Sequence, residues 1–154
     1  MESDEQNVID EEDGEAVEIY SRRAIWWFSI IPSPLFGGVL LSINLWAAGF
    51  KTAILQVMGF AIAATIGAEL LVSKLLVIYK IAIPKSYVVT DVAQAEKFIL
   101  VSLVGVVIQL ISATILTRYF FNKYFPDKDY YPKSIAGPLT VAIFLLLLNL
   151  FSAR

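Results

Sequence analysis

The sequence contains no cysteine and no histidine. Without cysteine there is no disulfide framework, zinc knuckle, thiol nucleophile or palmitoylated anchor. Without histidine, imidazole acid–base catalysis and histidine-ligated haem drop out. Charge is scarce as well: 17% of the 154 residues are Asp, Glu, Lys or Arg, against about 25% in a soluble domain.

What charge there is lies unevenly. Nine of the 14 acids (Glu2, Asp4, Glu5, Asp10, Glu11, Glu12, Asp13, Glu15 and Glu18) precede Tyr20, whereas all 12 basic residues follow it. The remainder of the chain is therefore net basic, with its Lys and Arg scattered along apolar stretches. That distribution suits lipid head groups on helix flanks and predicts no nucleic-acid partner. The first 23 residues are acidic and lack a small-residue cleavage site, so the first apolar stretch is expected to remain in the mature protein.

Apolar residues make up 58% of the chain and the mean hydropathy is +0.71. About 20 apolar residues are needed to cross a bilayer core of about 30 Å as a helix. Four stretches, roughly 24–48, 53–76, 98–116 and 135–151, meet or approach that length. The expected fold is an all-α integral membrane protein, a four-helix antiparallel transmembrane bundle over residues 21–154. A β-barrel is excluded because runs such as Phe144 to Leu148 are continuously apolar rather than alternating.

Pro32 and Pro34 interrupt the first stretch, so that span is expected to be kinked or broken there. A break would leave Ile25 to Ile31 in the interface and Pro34 to Ala48 as a short membrane helix. Residues 1–20 form an acidic tail, expected to be disordered and cytoplasmic, because so few aromatic or β-branched residues give it nothing to bury.

An even number of spans places both termini on one side. Arg22, Arg23, Lys74, Lys80, Lys85, Lys97 and Arg154 then face Lys51, Arg118, Lys123, Lys128 and Lys133. The slight positive excess predicts a plasma (inner) membrane protein with both termini cytoplasmic.

Small residues allow close helix approach in lipid. Gly59, Ala63 and Gly67 recur every four residues in the second span, and an intramolecular contact is expected there ahead of homodimerisation. Ser102, Gly105, Gln109 and Ser112 mark a seam on the third span, and Gly37 and Asn44 an inward stripe on the first.

Glu69 is the single acid inside any span, on a face shared with Thr65 and Ser73. A carboxylate at that depth calls for a partner, water or a proton, so these three residues with Gln109 and Asn44 form the candidate polar cavity or ion pair. Lys97, Arg22 or Arg154 are the expected cations. Asn149, near the end of the last span, is read as an interfacial hydrogen-bonding group.

Between Arg118 and Lys133, seven Tyr and Phe residues alternate with basic ones. That loop is expected on the membrane surface, and Trp26, Trp27, Arg118, Lys123 and Tyr124 are expected to touch lipid.

No catalytic, cofactor-binding or metal residues are expected, since the spans contain neither Asp nor His and no phosphate-binding loop occurs. The first functional expectation is an accessory or scaffold subunit that packs against itself or a larger membrane protein. The alternative is a small oligomeric transporter or ion pathway built around Glu69.

Overall fold

A computed structural model describes residues 17–81, 92–126 and 130–152. The acidic residues before Val17, the loop carrying Lys85, Lys128 and Arg154 lie outside them, as does the side chain of Asn149. The architecture is mostly helical. Five helices are described: α1 (Arg22–Ile30), α2 (Pro34–Ala47), α3 (Lys51–Ile78), α4 (Val92–Thr114) and α5 (Ala136–Ser152). α4 runs on through a π-helical segment, Ile115–Phe121, into one further turn ending at Tyr124.

Local chemistry sets the helix ends. Ser21 caps α1 by accepting from the Ala24 amide, and Ser33 caps α2 by accepting from the Phe36 amide, with Pro34 in the first helical position where no donor is missed. Gly49, at φ +80, ends α2: its amide reaches Trp46 O and the next amide, Phe50, reaches Leu45 O. Those paired bonds form a Schellman turn, which needs a left-handed residue where glycine stands. The same bonds end α3, but there the left-handed residue is Lys80, at φ 51.

The expected first crossing is two helices that fold back on each other. A methyl group built on Gly37 of α2 would overlap the Ser29 hydroxyl of α1 and come within 2.8 Å of Ser29 Cβ. Farther along, Asn44 of α2 bonds Tyr20, just before α1. The two contacts run in opposite senses along the chain, so α1 and α2 form an antiparallel hairpin with its bend at Ile31 to Ser33. Among the described residues two helices are long and apolar enough to cross a membrane: α3, with 28 residues, and the α4 continuation, Ala95–Tyr124, with 30; four spans are not shown.

α2 packs on α3 where Gly38 meets Ala61, and α4 runs antiparallel to α3 with Gly105 3.5 Å from a Val72 methyl. The core gathers at one end of the bundle: Ile25, Leu41, Leu45, Val57 and Leu116 are fully buried there, with Phe120 and Phe121 beside them. Toward the other end α3 and α4 project apolar surface outward, including Leu70 and Val77 on α3 and Ile99 and Leu103 on α4.

Part of the segment expected to be a disordered tail is ordered. Glu18–Ile19 (β1) pairs in parallel with Tyr131–Pro132 (β2), Lys133 donates its amide to Ile19 O, and Ile19 is 1% exposed. The apolar side chains of Ile19 and Tyr20 enter the core, and Lys133 Nζ lies 5.6 Å above the Tyr20 ring. This pairing ties the loop before α5 to the start of α1.

Candidate functional site

Among the described residues of one chain, those expected to form a polar cavity are not brought together. Asn44 is buried at the end of the bundle where the core gathers, where its Oδ1 accepts from Tyr20 N and its Nδ2 donates to Tyr20 O, both at 2.8 Å. Glu69 and Ser73 are exposed on α3, and Thr65 and Gln109 are half-buried. Among the described residues no basic side chain pairs with Glu69. None of the five lines either of the two clefts in the molecule's surface described below.

Seven hydroxyls within the helices behave alike. Ser29, Thr65, Ser102, Ser112, Thr114, Thr117 and Thr140 each donate to the carbonyl four residues earlier in their own helix. Such bonds satisfy a hydroxyl where no water is at hand and leave it no proton to offer a ligand. The Ser42 hydroxyl, by contrast, is buried without a partner among the described residues.

The small residues divide into used and open faces. Gly37 and Gly38 sit in the tight crossings of α2, and Ser112 is buried on α4. On α3 the buried positions are Ala53, Val57 and Ala61, whereas Gly59, Ala63 and Gly67 lie on the exposed side. A Cβ at Gly59 or Gly67 would meet nothing within 4 Å. Within the described chain, the stripe has no intramolecular partner.

Two clefts flank α1. The larger, about 600 Å³, is an apolar groove between the α1–α2 bend and α5, with Phe28, Ile31 and Phe36 on one wall and Leu139, Ile143 and Leu146 on the other. The second, about 380 Å³, is basic: Arg22 and Arg23 from the first turn of α1 face Arg118 from the π-helical segment, with Trp26, Thr114 and Thr117 completing it. Trp27 lines both. The Trp26 and Trp27 rings meet edge to face, centroids 4.9 Å apart.

This grouping departs from the expected charge distribution, which put Arg22 and Arg23 on one membrane side and Arg118 on the other. The fold-back of α1 is the reason: it returns the start of α1 to the end of the bundle where α4 finishes. Among the described residues the only side-chain bond made by these arginines is Arg22 Nη1 to Asn122 Oδ1, at 3.4 Å. Lys123 stays near that end, with Nζ over the rings of Tyr124 (5.2 Å) and Tyr119 (5.9 Å), and the Tyr124 hydroxyl donates to Gln56 Oε1 at 3.3 Å.

Arg22 and Arg23 were legible in the sequence only as flank charges. Their spacing from Arg118, nearly a hundred residues, carries no local signal. Comparison with protein-family models, with curated proteins and with solved structures finds no match.

Proposed function

We propose that this chain is an integral membrane protein that acts as a packing subunit, associating with a second copy or with a larger membrane protein through the open small-residue face of α3. The observation that carries the reading is the clear space over Gly59 and Gly67 on an apolar helix that its own chain scarcely covers. Only 6% of the most apolar stretch of α3 is buried inside the molecule, and 22% of that of α4. In water those helices would expose large aliphatic surface at a cost of about 25 cal/mol per Å². Lipid removes that cost, and a helix partner on the glycine face adds close dispersion contact.

In this reading the four predicted crossings become three, α3, α4 and α5, preceded by a re-entrant hairpin. α2 is not counted because it pairs back on α1 and the segment before it, through Gly37 against Ser29 and Asn44 against Tyr20. The end bearing Arg22, Arg23, Lys51, Arg118, Lys123 and Lys133 is then the cytoplasmic one, opposed by Lys74, Lys80 and Lys97 among the described residues. The N-terminal segment lies on that side, and α5 carries the C-terminus to the other, in place of two cytoplasmic termini.

The alternative, a small oligomeric transporter or ion pathway through Glu69, Gln109 and Asn44, ranks second. Asn44 is committed to Tyr20, and the neighbouring hydroxyls donate into their own helices.

The test is affinity capture of the tagged chain in mild detergent, with native mass determination on the same sample. A stoichiometric homo-oligomer or membrane partner that cross-links through Ala63→Cys, in a chain with no other cysteine, supports the proposal. A folded monomer with no partner defeats it.

A further inference from the structure

The basic cleft has a ligand-binding composition that packing alone does not require. Three arginines from two separate elements line one cavity of about 380 Å³. Among the described residues no carboxylate is in its walls. Arginine presents planar paired donors suited to phosphate oxygens, and it keeps its charge at every physiological pH. One wall is the π-helical segment that carries Thr117 and Arg118, a departure from α-helix of the kind often found at functional sites.

The neighbouring groove supplies the second half of the argument. Trp27 is a wall common to the basic cleft and to the apolar groove of about 600 Å³ beside α5. An anion held by the arginines therefore has an aliphatic channel beginning at the same indole, lined by Ile31, Phe36, Leu139 and Ile143. A charged head continuous with a hydrocarbon tail fits both halves, whereas a soluble phosphate would use only one. Tryptophan at such a junction is suited to it, having an apolar ring and one N–H donor.

We infer that Arg22, Arg23 and Arg118 form a specific site for the phosphate of an anionic membrane lipid, with one acyl chain lying past Trp27 in the groove between the α1–α2 bend and α5. The inference rests on the proposed membrane embedding. The arginines supply the anion contacts, and Thr114 and Thr117, whose protons are engaged within α4, contribute shape.

The experiment uses the full chain in mild detergent, with Trp46→Phe so that Trp26 and Trp27 alone report. Phosphatidylglycerol carrying brominated acyl chains is the probe and brominated phosphatidylcholine the control. Saturable quenching at low mole fraction by the anionic lipid alone is expected, weakened about fivefold by each of Arg22→Gln, Arg23→Gln and Arg118→Gln, and weakened less by Arg118→Lys, which keeps the charge but loses the paired donors. A groove-filling Ile143→Trp would add fluorescence, so Ile143→Phe is used and should also weaken quenching.

Equal quenching by both lipids, or no loss in the triple arginine variant, overturns the site. Full displacement of the lipid by millimolar inorganic phosphate overturns it in favour of a soluble anion. Quenching that emerges only after residues 1–16 are deleted overturns it in favour of the acidic segment as the resident occupant. Carbonate extraction of native membranes separates the two proposals: a chain released to the aqueous phase fails the embedding itself, whereas a retained chain without lipid selectivity fails only the site.

Discussion

Asn44 occupies, toward Tyr20, the place that a neighbouring strand would take: its carboxamide accepts from the Tyr20 amide and donates to the Tyr20 carbonyl, each at 2.8 Å. A single side chain on α2 thus completes the backbone hydrogen bonding of the residue that joins β1 to α1. Both groups are buried, so the pair fixes where the amino-terminal segment docks.

Replacing Asn44 with Leu keeps the branched shape and removes both bonds. Each buried backbone group left without a partner costs about 1–3 kcal/mol, so the variant is expected to lose several kcal/mol in thermal unfolding. Limited proteolysis is the discriminating measurement, because cleavage near Tyr20 should appear well below the global transition. Asn44→Asp retains the acceptor alone and should fall between the two. Unchanged protection in Asn44→Leu would show that β1 and β2 hold the segment unaided.

The length and apolar character of α3, α4 and α5 were legible in the sequence, because burial in lipid is a property of composition over about 20 residues. A helix start at Pro34 was one of two alternatives, the other being a kinked continuous helix, whereas a helix end at about residue 48 was legible too. The fold-back of α1 on α2 was not, because hydropathy measures length and says nothing of which way a broken helix turns after Ile31. Asn44 was read as an inward polar residue with another side chain as its partner, but its partner is backbone, which no residue type advertises. The glycine stripe of α3 illustrates a related limit. Small residues at intervals of four signal that something can approach closely, and the same spacing serves a contact within the chain or with another.

That ambiguity makes two glycines on neighbouring helices a controlled comparison. Gly37→Ala forces a methyl onto Ser29 in the α1–α2 crossing, and overpacking of that kind costs about 1–3 kcal/mol. Gly59→Ala meets open space and gains about 0.5–1 kcal/mol of helix propensity. Opposite shifts in melting temperature in detergent are expected. If the α3 face binds a partner, Gly59→Leu should leave the monomer's melting unchanged while abolishing the oligomer seen by native mass.

Lys80 offers a stabilising substitution. It adopts the left-handed conformation that closes α3, with φ 51, where its Cβ meets the following carbonyl. Glycine has no such conflict, so Lys80→Gly should raise stability by about 0.5–1 kcal/mol, whereas Lys80→Val should lower it. Thermal melts of the two variants under one condition decide the matter. Equal melting would mean that the turn opens before the helices separate.

The placement of Arg22 beside the end of α4 makes a prediction about topology that the four-crossing arrangement does not share. Arg22 reaches Asn122 across 100 residues of sequence, so under the proposed embedding Ser21 and Asn122 are expected on the same membrane face. Because the chain has no native cysteine, single variants Ser21→Cys and Asn122→Cys can be labelled without background by an impermeant maleimide in sealed vesicles. Both should react from the same side, and Tyr79→Cys, at the far end of α3, from the opposite one. Four successive crossings would instead place Ser21 with Tyr79 and set Asn122 against them. Labelling of Ser21→Cys and Asn122→Cys from opposite sides would therefore dissolve the α1–α2 hairpin and, with it, the basic cleft that depends on it.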